Sequence, residues 1–338
     1  MLQGHQTWVF PSRPVIISTA AVGGPFEARG PLAEDFDMLH GDLWLGQDSY
    51  EKAEKKMLEE ACELAVKKAG LKKQDVQLFL CGDLLNQIIS SGFAARTLGA
   101  PYLGLYGACS TSMESLALGA LIVDSRSGNN VICGTVSHNA AAEKQYRYPT
   151  EYGAQKPPTA QWTVTGAGVA LLGSGGEGPR ITSATIGRIV DMGLTDPFNM
   201  GGAMAPAAVD TITAHFRDLG VSPRDYDLIA TGDLGRVGFR IAADLLQKHG
   251  LAIPADIFTD CGLLIYGEDQ PEALAGGSGC GCSATVAYGH ILNRMKKGEL
   301  KKVLIVATGA LLSPLSYQQK ESIPCIAHAV SIEYSHEE

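Results

Sequence analysis

Cys109 is the residue of this sequence best placed to do chemistry. It stands in GLYGACSTSMESLALGA, 104–120, which reads as a strand, a tight turn and a helix with the thiol at the bend. Gly107 and Ala108 before it, and Ser110 and Ser112 after it, leave room for backbone or ligand to approach closely. A thiol at a helix start lies near unpaired N–H groups and the positive end of the macrodipole, both of which favour thiolate. That is where a nucleophile would sit. A small cysteine filling a tight corner is the plainer account of any single such residue. His138, after the next strand, is the nearest candidate for a base; a loop histidine with a hydrogen-bonded partner is its plainer account. The pair Cys280 and Cys282, separated by Gly281, lacks a second close Cys or His pair at metal-ligand spacing, so no metal is expected. TGAGVALLGSGGEG is rich in glycine but has no phosphate-loop lysine, and it reads as tight strand packing.

The elements that must position these residues alternate between strand and helix. A β-branched run at 14–23 reads as a buried strand, and 27–47 as an irregular segment, with Phe36 and Trp44, suited to packing on a partner subunit. A helix is expected from Asp48, with a capping-box-like Glu51, to Ala69: Ala53, Met57, Ala61, Leu64 and Ala65 share one face and Gly70 stops it. Strands follow at 76–81, 102–106 and 130–136, with helices to about 98 and 126 between them. The polar stretch 137–161 reads as a long functional loop, and WTVTGAGVALLG at 162–173 as a glycine-punctuated hairpin. Met192, Met200 and Met204 in DMGLTDPFNMGGAMAP read either as a flexible lid or as core filling.

After the spacer 174–179 the pattern starts again. VQLFLCGDLLNQ at 76–87 has a partner in YDLIATGDLGRVG at 226–238, and the segment from Cys109 to Gly134 pairs with that from Cys282 to Gly309. Two halves, 1–178 and 179–338, are therefore expected to be related by a pseudo-twofold axis, with a cleft where the helix of Cys109 meets its counterpart.

Composition frames these readings. The chain has 338 residues, 45% of them hydrophobic, enough for a large core. A net charge of -9 argues against nucleic acid as the main partner. No basic segment followed by an apolar core opens the chain, so no signal peptide is expected. No uncharged apolar run reaches the roughly 18 residues of a membrane span. Eight cysteines without framework spacing read as reduced thiols of a cytosol-like compartment.

Three motifs together, ACSTSM, TGAGVALL and GSGCGCSATVAYGHIL, resemble the landmarks of the thiolase and ketoacyl synthase superfamily. The resemblance implies a duplicated five-layer αβαβα fold, usually as a homodimer. Essentially end to end, the chain is also similar to a sporulation subfamily of spore-forming bacteria associated with accumulating and binding dipicolinic acid. That implies dipicolinate or its calcium chelate as ligand, no other cofactor, and work beside membrane proteins of a sporulation transport complex at the spore inner membrane.

Condensing enzymes of the superfamily need a histidine after the second-half strand and a histidine or asparagine before the last helix. At those places this chain has Gly232 with Asp233, and Cys280. Glycine offers no side-chain donor, cysteine a weak one, and ionised aspartate would repel an oxyanion. Claisen chemistry is therefore not expected. The alternative is an acyl-transferring or thioester-hydrolysing enzyme using Cys109. For a planar dicarboxylate, the expected contacts are Cys109, Gly232, Asp233 and the turn of Cys280, Gly281 and Cys282, with Arg236, Arg240 or Arg147 as cationic forks.

Overall fold

The structure is a computed structural model, describing residues 1–146 and 156–334. In the first half β1 (Val15–Gly23), α1 (Tyr50–Lys68), β2 (Leu78–Asp83), α2 (Ile89–Leu98), β3 (Tyr102–Gly104), α3 (Thr111–Asp124), β4 (Val131–Ser137), α4 (Asn139–Tyr146) and β5 (Gly166–Gly173) follow one another. The second half contains β6 (Arg180–Thr185), α5 (Met200–Leu219), β7 (Leu228–Thr231), α6 (Gly235–Lys248), β8 (Phe258–Asp260), α7 (Cys280–Thr285), β9 (Lys302–Ala310) and β10 (Cys325–Glu333).

Strand order runs β8-β7-β9-β10-β6-β1-β5-β4-β2-β3, the same from either end once five is subtracted from the second-half labels. Parallel pairings, β2 with β3 and β4 and β7 with β8 and β9, flank antiparallel ones in both halves. β6 joins the halves, pairing at Arg180 with Val15 and at Ser183–Thr185 with Thr7–Val9. Helix α1 packs on β1, β4 and β5, and α5 on β9 and β10, while α3 touches strands of both halves. Helices therefore lie outside each half-sheet and between them. α3 explains itself: TSMESLALGALIVD carries only two acids and is apolar on every side, as a helix between two sheets must be. α6 exposes Arg236 and Arg240 and buries Gly238, Ala242 and Leu246.

Several elements differ from the sequence expectation for identifiable reasons. Ser49, not Asp48, caps α1, its hydroxyl accepting from the Lys52 amide at 3.3 Å; Asp48 pairs with the Lys52 ammonium instead. The stretch 162–173 is not a hairpin, because β5 runs between β1 and β4 while Trp162–Thr163 pairs with Gly277–Ser278. Its glycines serve close approach: a Cβ on Gly168 would lie 2.6 Å from the Ala284 backbone, so only glycine lets α7 dock there. The expected loop after Ser137 begins with helix α4. Met204 is fully buried and Met200 opens α5, capped by Asn199, so this part of the methionine-rich stretch is core and helix.

Candidate functional site

Cys109 sits in a one-turn 3-10 segment, Ala108–Ser110, that feeds α3. Ala108 has φ 50°, a left-handed conformation that costs a non-glycine residue roughly 1 kcal/mol and sharpens the bend. The turn presses on β9, where a Cβ on Gly309 would overlap the Gly107 carbonyl oxygen. The pseudo-twofold mate of this bend is the start of α7. Gly279, φ 92°, corresponds to Ala108, and the Ser112 and Ser283 hydroxyls touch at 2.7 Å. Cys109 thus pairs with Cys280, two residues earlier than the Cys282 expected from sequence. The two thiols belong to one buried cluster with Leu84, Ala108 and Ala142.

Asp233 is the other principal group. It follows β7 and is buried; its Oδ1 accepts from the Thr308 hydroxyl at 2.7 Å, and its Oδ2 from the Gly279 amide at 3.0 Å and the Ser278 hydroxyl at 3.3 Å. Burial raises its pKa to about 7, against hydrogen bonds from Thr308 and Cys109 that favour the charged form. Burial, and then the adjacent Asp233 carboxylate, push the Cys109 thiol well above its ordinary value. The helix-start thiolate expected from sequence is therefore corrected: desolvation and a neighbouring acid outweigh the dipole, and Cys109 is a neutral thiol. Cys280 is likewise held neutral by burial, its thiol donating to the Val136 carbonyl at 3.0 Å.

Around Cys109 lies a narrow cavity of about 40 Å³, room for a few waters. Met200, Ala310 and Leu312 supply apolar walls, and the Tyr106 and Tyr146 hydroxyls, 3.1 Å apart, lie on one side. No lysine, arginine or histidine is among the described lining residues.

The remaining sequence candidates fall elsewhere or are already engaged. His138 does not line the cavity: its Nε2 meets the Leu43 carbonyl at 2.8 Å, its Nδ1 takes the Ala141 amide at 3.4 Å, and burial lowers its pKa. It is a structural histidine. Arg236 and Arg240 are exposed on α6, and Arg236 lines a different cavity beside Tyr266 and Gln270. Arg147 lies outside the described residues. The glycine turn does not present open donors as expected, since the Gly279 amide is bonded to Asp233 and the Gly281 amide to Ser137 Oγ at 3.0 Å. Gly232 is needed for packing: a Cβ there would lie 2.9 Å from the backbone of Ala307 and Thr308. The Cys282 thiol points to the Gly232 carbonyl at 3.5 Å. Sequence reasoning missed Thr308, Ser278 and the two tyrosines; Thr308 lies on β9, the strand paired beside β7, a neighbour that only strand order supplies.

Among the described residues no three His, Cys, Asp or Glu side chains are grouped to hold a metal, and no helix is long and apolar enough to cross a membrane.

The fold is shared with solved structures of low sequence identity. Human mitochondrial 3-ketoacyl-CoA thiolase in complex with CoA is 13% identical at a TM-score of 0.63, covering 98% of this chain and 100% of that one. 3-oxoacyl-[acyl-carrier-protein] synthase III from Aquifex aeolicus VF5 is 15% identical at 0.60, covering 95% and 100%. The fold is thus thiolase-like. Stage V sporulation protein AD of Bacillus subtilis (strain 168) is 50% identical over 333 residues, 98% of either chain. The model of the family described as stage V sporulation protein AD matches residues 4–333. With its whole length matched and half its residues shared, this chain belongs to the stage V sporulation protein AD family.

Proposed function

We propose that this sporulation protein holds dipicolinate, free or as its calcium chelate, in the cleft at Cys109 and serves its uptake into the developing spore without forming carbon-carbon bonds. The observation carrying this reading is Asp233 beside Cys109. Where a condensing enzyme needs a donor to a developing oxyanion, this cleft offers a carboxyl group, and the thiol it faces is neutral. Loss of one oxyanion donor costs on the order of a hundredfold in rate, so two losses favour a receptor over a catalyst. A protonated Asp233 can donate to a ligand carboxylate, whereas an ionised one repels it; calcium on the ligand relieves that repulsion. The cavity must widen to take a ring, and Met200, unbranched and flexible, is the wall best able to give.

The reading extends to a homodimer working with membrane proteins of a sporulation transport complex at the spore inner membrane. Ile89, Phe93, Leu103 and Tyr106, all large and exposed, surround the open edge strand β3, and a second copy of the chain is the natural cover for them.

Titration calorimetry with dipicolinate, with and without calcium, tests the ligand. Saturable binding that weakens as pH rises through about 7 is expected, and Ala142→Phe, which fills the cavity, should abolish it. Absence of saturable heat from the folded protein removes the reading. One observation favours the alternative, acyl transfer through Cys109: the strained Ala108 bend that presents the thiol. A stable acyl adduct on Cys109 after exposure to acyl-CoA, read by mass spectrometry, would establish that instead.

A further inference from the structure

Helix α3 keeps one stripe that the described residues leave half-open. Glu114, Leu118, Leu121 and Ile122, spaced to share a face, are each half-buried, whereas the other residues of the helix up to Val123 are buried. The pseudo-twofold mate of this stripe is closed. With Cys109 matched to Cys280, Leu118 corresponds to Gly289 in the helix that continues α7, and a Cβ on Gly289 would lie 2.8 Å from the Asp35 carbonyl oxygen that covers it. Glu114 corresponds to Thr285, a buried residue whose hydroxyl donates to the Gly281 carbonyl at 2.7 Å. The first half therefore presents an acid and a bare apolar stripe where the second half is satisfied and covered.

The stripe adjoins the open edge of β3, which pairs with β2 alone. Glu114 Oε2 lies against Gly107, where an added Cβ would come within 2.7 Å of it, and Tyr106 and Leu103 beside that turn are exposed. Oε2 is buried and has no hydrogen-bond partner. Burial alone raises the pKa of Glu114 to about 7, with no contribution from a charged neighbour. The polar groups around it are occupied: the Ser110 hydroxyl donates to the Gly107 carbonyl at 2.6 Å, and the Tyr106 hydroxyl is 3.1 Å from that of Tyr146. Cys109 is a neutral thiol, and Arg96 on α2 lies over the Phe93 ring at 4.6 Å. When apolar surface closes on such a carboxyl group it loses its remaining water, which favours the neutral form.

We infer that a second copy of the chain closes this face with its own α3 and β3, and that the two Glu114 carboxyl groups are a proton gate on the contact, which forms with both protonated and opens as they ionise. A second copy is the occupant because an open strand edge is complemented by the same edge turned through a twofold axis, and the apolar stripe by its own copy. The inference rests on the homodimer reading given above and adds what controls the dimer.

Sedimentation equilibrium of the full chain at pH 5.5, 7 and 8.5 is the test. Each copy takes up a proton on closing, so above pH 7 the dimer dissociation constant should rise toward a hundredfold per pH unit, about a thousandfold in all by pH 8.5. Glu114→Gln, neutral at every pH and nearly the same shape, should stay dimeric across the range. A parent dimer whose dissociation constant does not move between pH 5.5 and 8.5 overturns the gate and leaves the homodimer standing. So does a pH dependence that persists in Glu114→Gln, or a dimer that tightens as pH rises, as it would if the second copy brought its Arg96 to Glu114. Monomers at pH 5.5 in both the parent and Glu114→Gln overturn the gate and the homodimer reading together.

Discussion

At the scale of single residues, the Cys109 and Asp233 pair decides what this cleft can do. A thiol at a helix start gains from the dipole only the fraction of a kcal/mol typical of a helix end. Burial and an adjacent carboxylate act in the opposite sense and win. Asp233→Asn removes the charge; its one carbonyl oxygen can keep the Gly279 amide while the Thr308 hydroxyl turns to accept from the new NH2, so the Cys109 thiol should titrate lower. Iodoacetamide labelling of Cys109 at pH 8, counted by mass spectrometry, should then run on the order of tenfold faster than in the parent protein. An unchanged rate would mean that desolvation alone governs the thiol. Asp233 also makes stability depend on pH. Its folded pKa, about 7, lies above the ordinary 3.8, so between those values the folded state holds a proton that the unfolded state has released. Stability contributed by this group therefore falls as pH rises toward 7. Glu27, raised to about 7, and Asp260, raised to about 6, both by burial, act in the same direction. Melting temperatures at pH 5 and 8 should differ less in Asp233→Asn than in the parent.

At the scale of elements, glycine sets how closely helices and strands meet. Gly309 on β9 lies under the Cys109 turn, and an added Cβ would strike the Gly107 carbonyl, a backbone atom that cannot rotate away. Gly309→Ala should cost about 1 to 3 kcal/mol, the range for overpacking, seen as a lower urea midpoint. Gly92, inside α2, has nothing within 4 Å of where its Cβ would sit. Gly92→Ala should therefore stabilise by about 0.5 to 1 kcal/mol, because alanine loses less backbone entropy in a helix. The same substitution takes opposite signs at two sites whose glycines look alike in sequence. A similar contrast separates α3 from α6. One is apolar on every side and lies between the half-sheets, while the other turns its arginines to water, and neither arginine lines the cavity at Cys109.

At the scale of the whole molecule, the mirrored strand order places the ends of α3 and α7 against each other, joined by the Ser112 and Ser283 hydroxyls. A cleft at that meeting point draws residues from both halves: Cys109 from one, Asp233 and Gly279 from the other. Each half thus holds a fragment of a site that neither completes. The proposed homodimer extends this logic outward from the β3 edge. Leu103→Asp places a charge in the middle of the exposed apolar group and should shift the protein to monomers, read by sedimentation, while leaving its circular dichroism unchanged.

What the sequence determined by itself was local and periodic. It carried the thiol between strand and helix, the paired Gly-Asp-Leu segments, the amphipathic face of α1 and the motifs that resemble the thiolase superfamily, because each is written in neighbouring residues. What only the tertiary structure decided was which distant groups meet, and in what charge state. That Asp233 takes a hydroxyl from Thr308, 75 residues away, that His138 is fully engaged by Leu43 and Ala141, and that Arg236 faces another cavity all depend on strand order and helix facing. The ionisation of Cys109 and Asp233 depends on how completely water is excluded from them. Burial is a property of the assembled layers, and no stretch of chain states it alone.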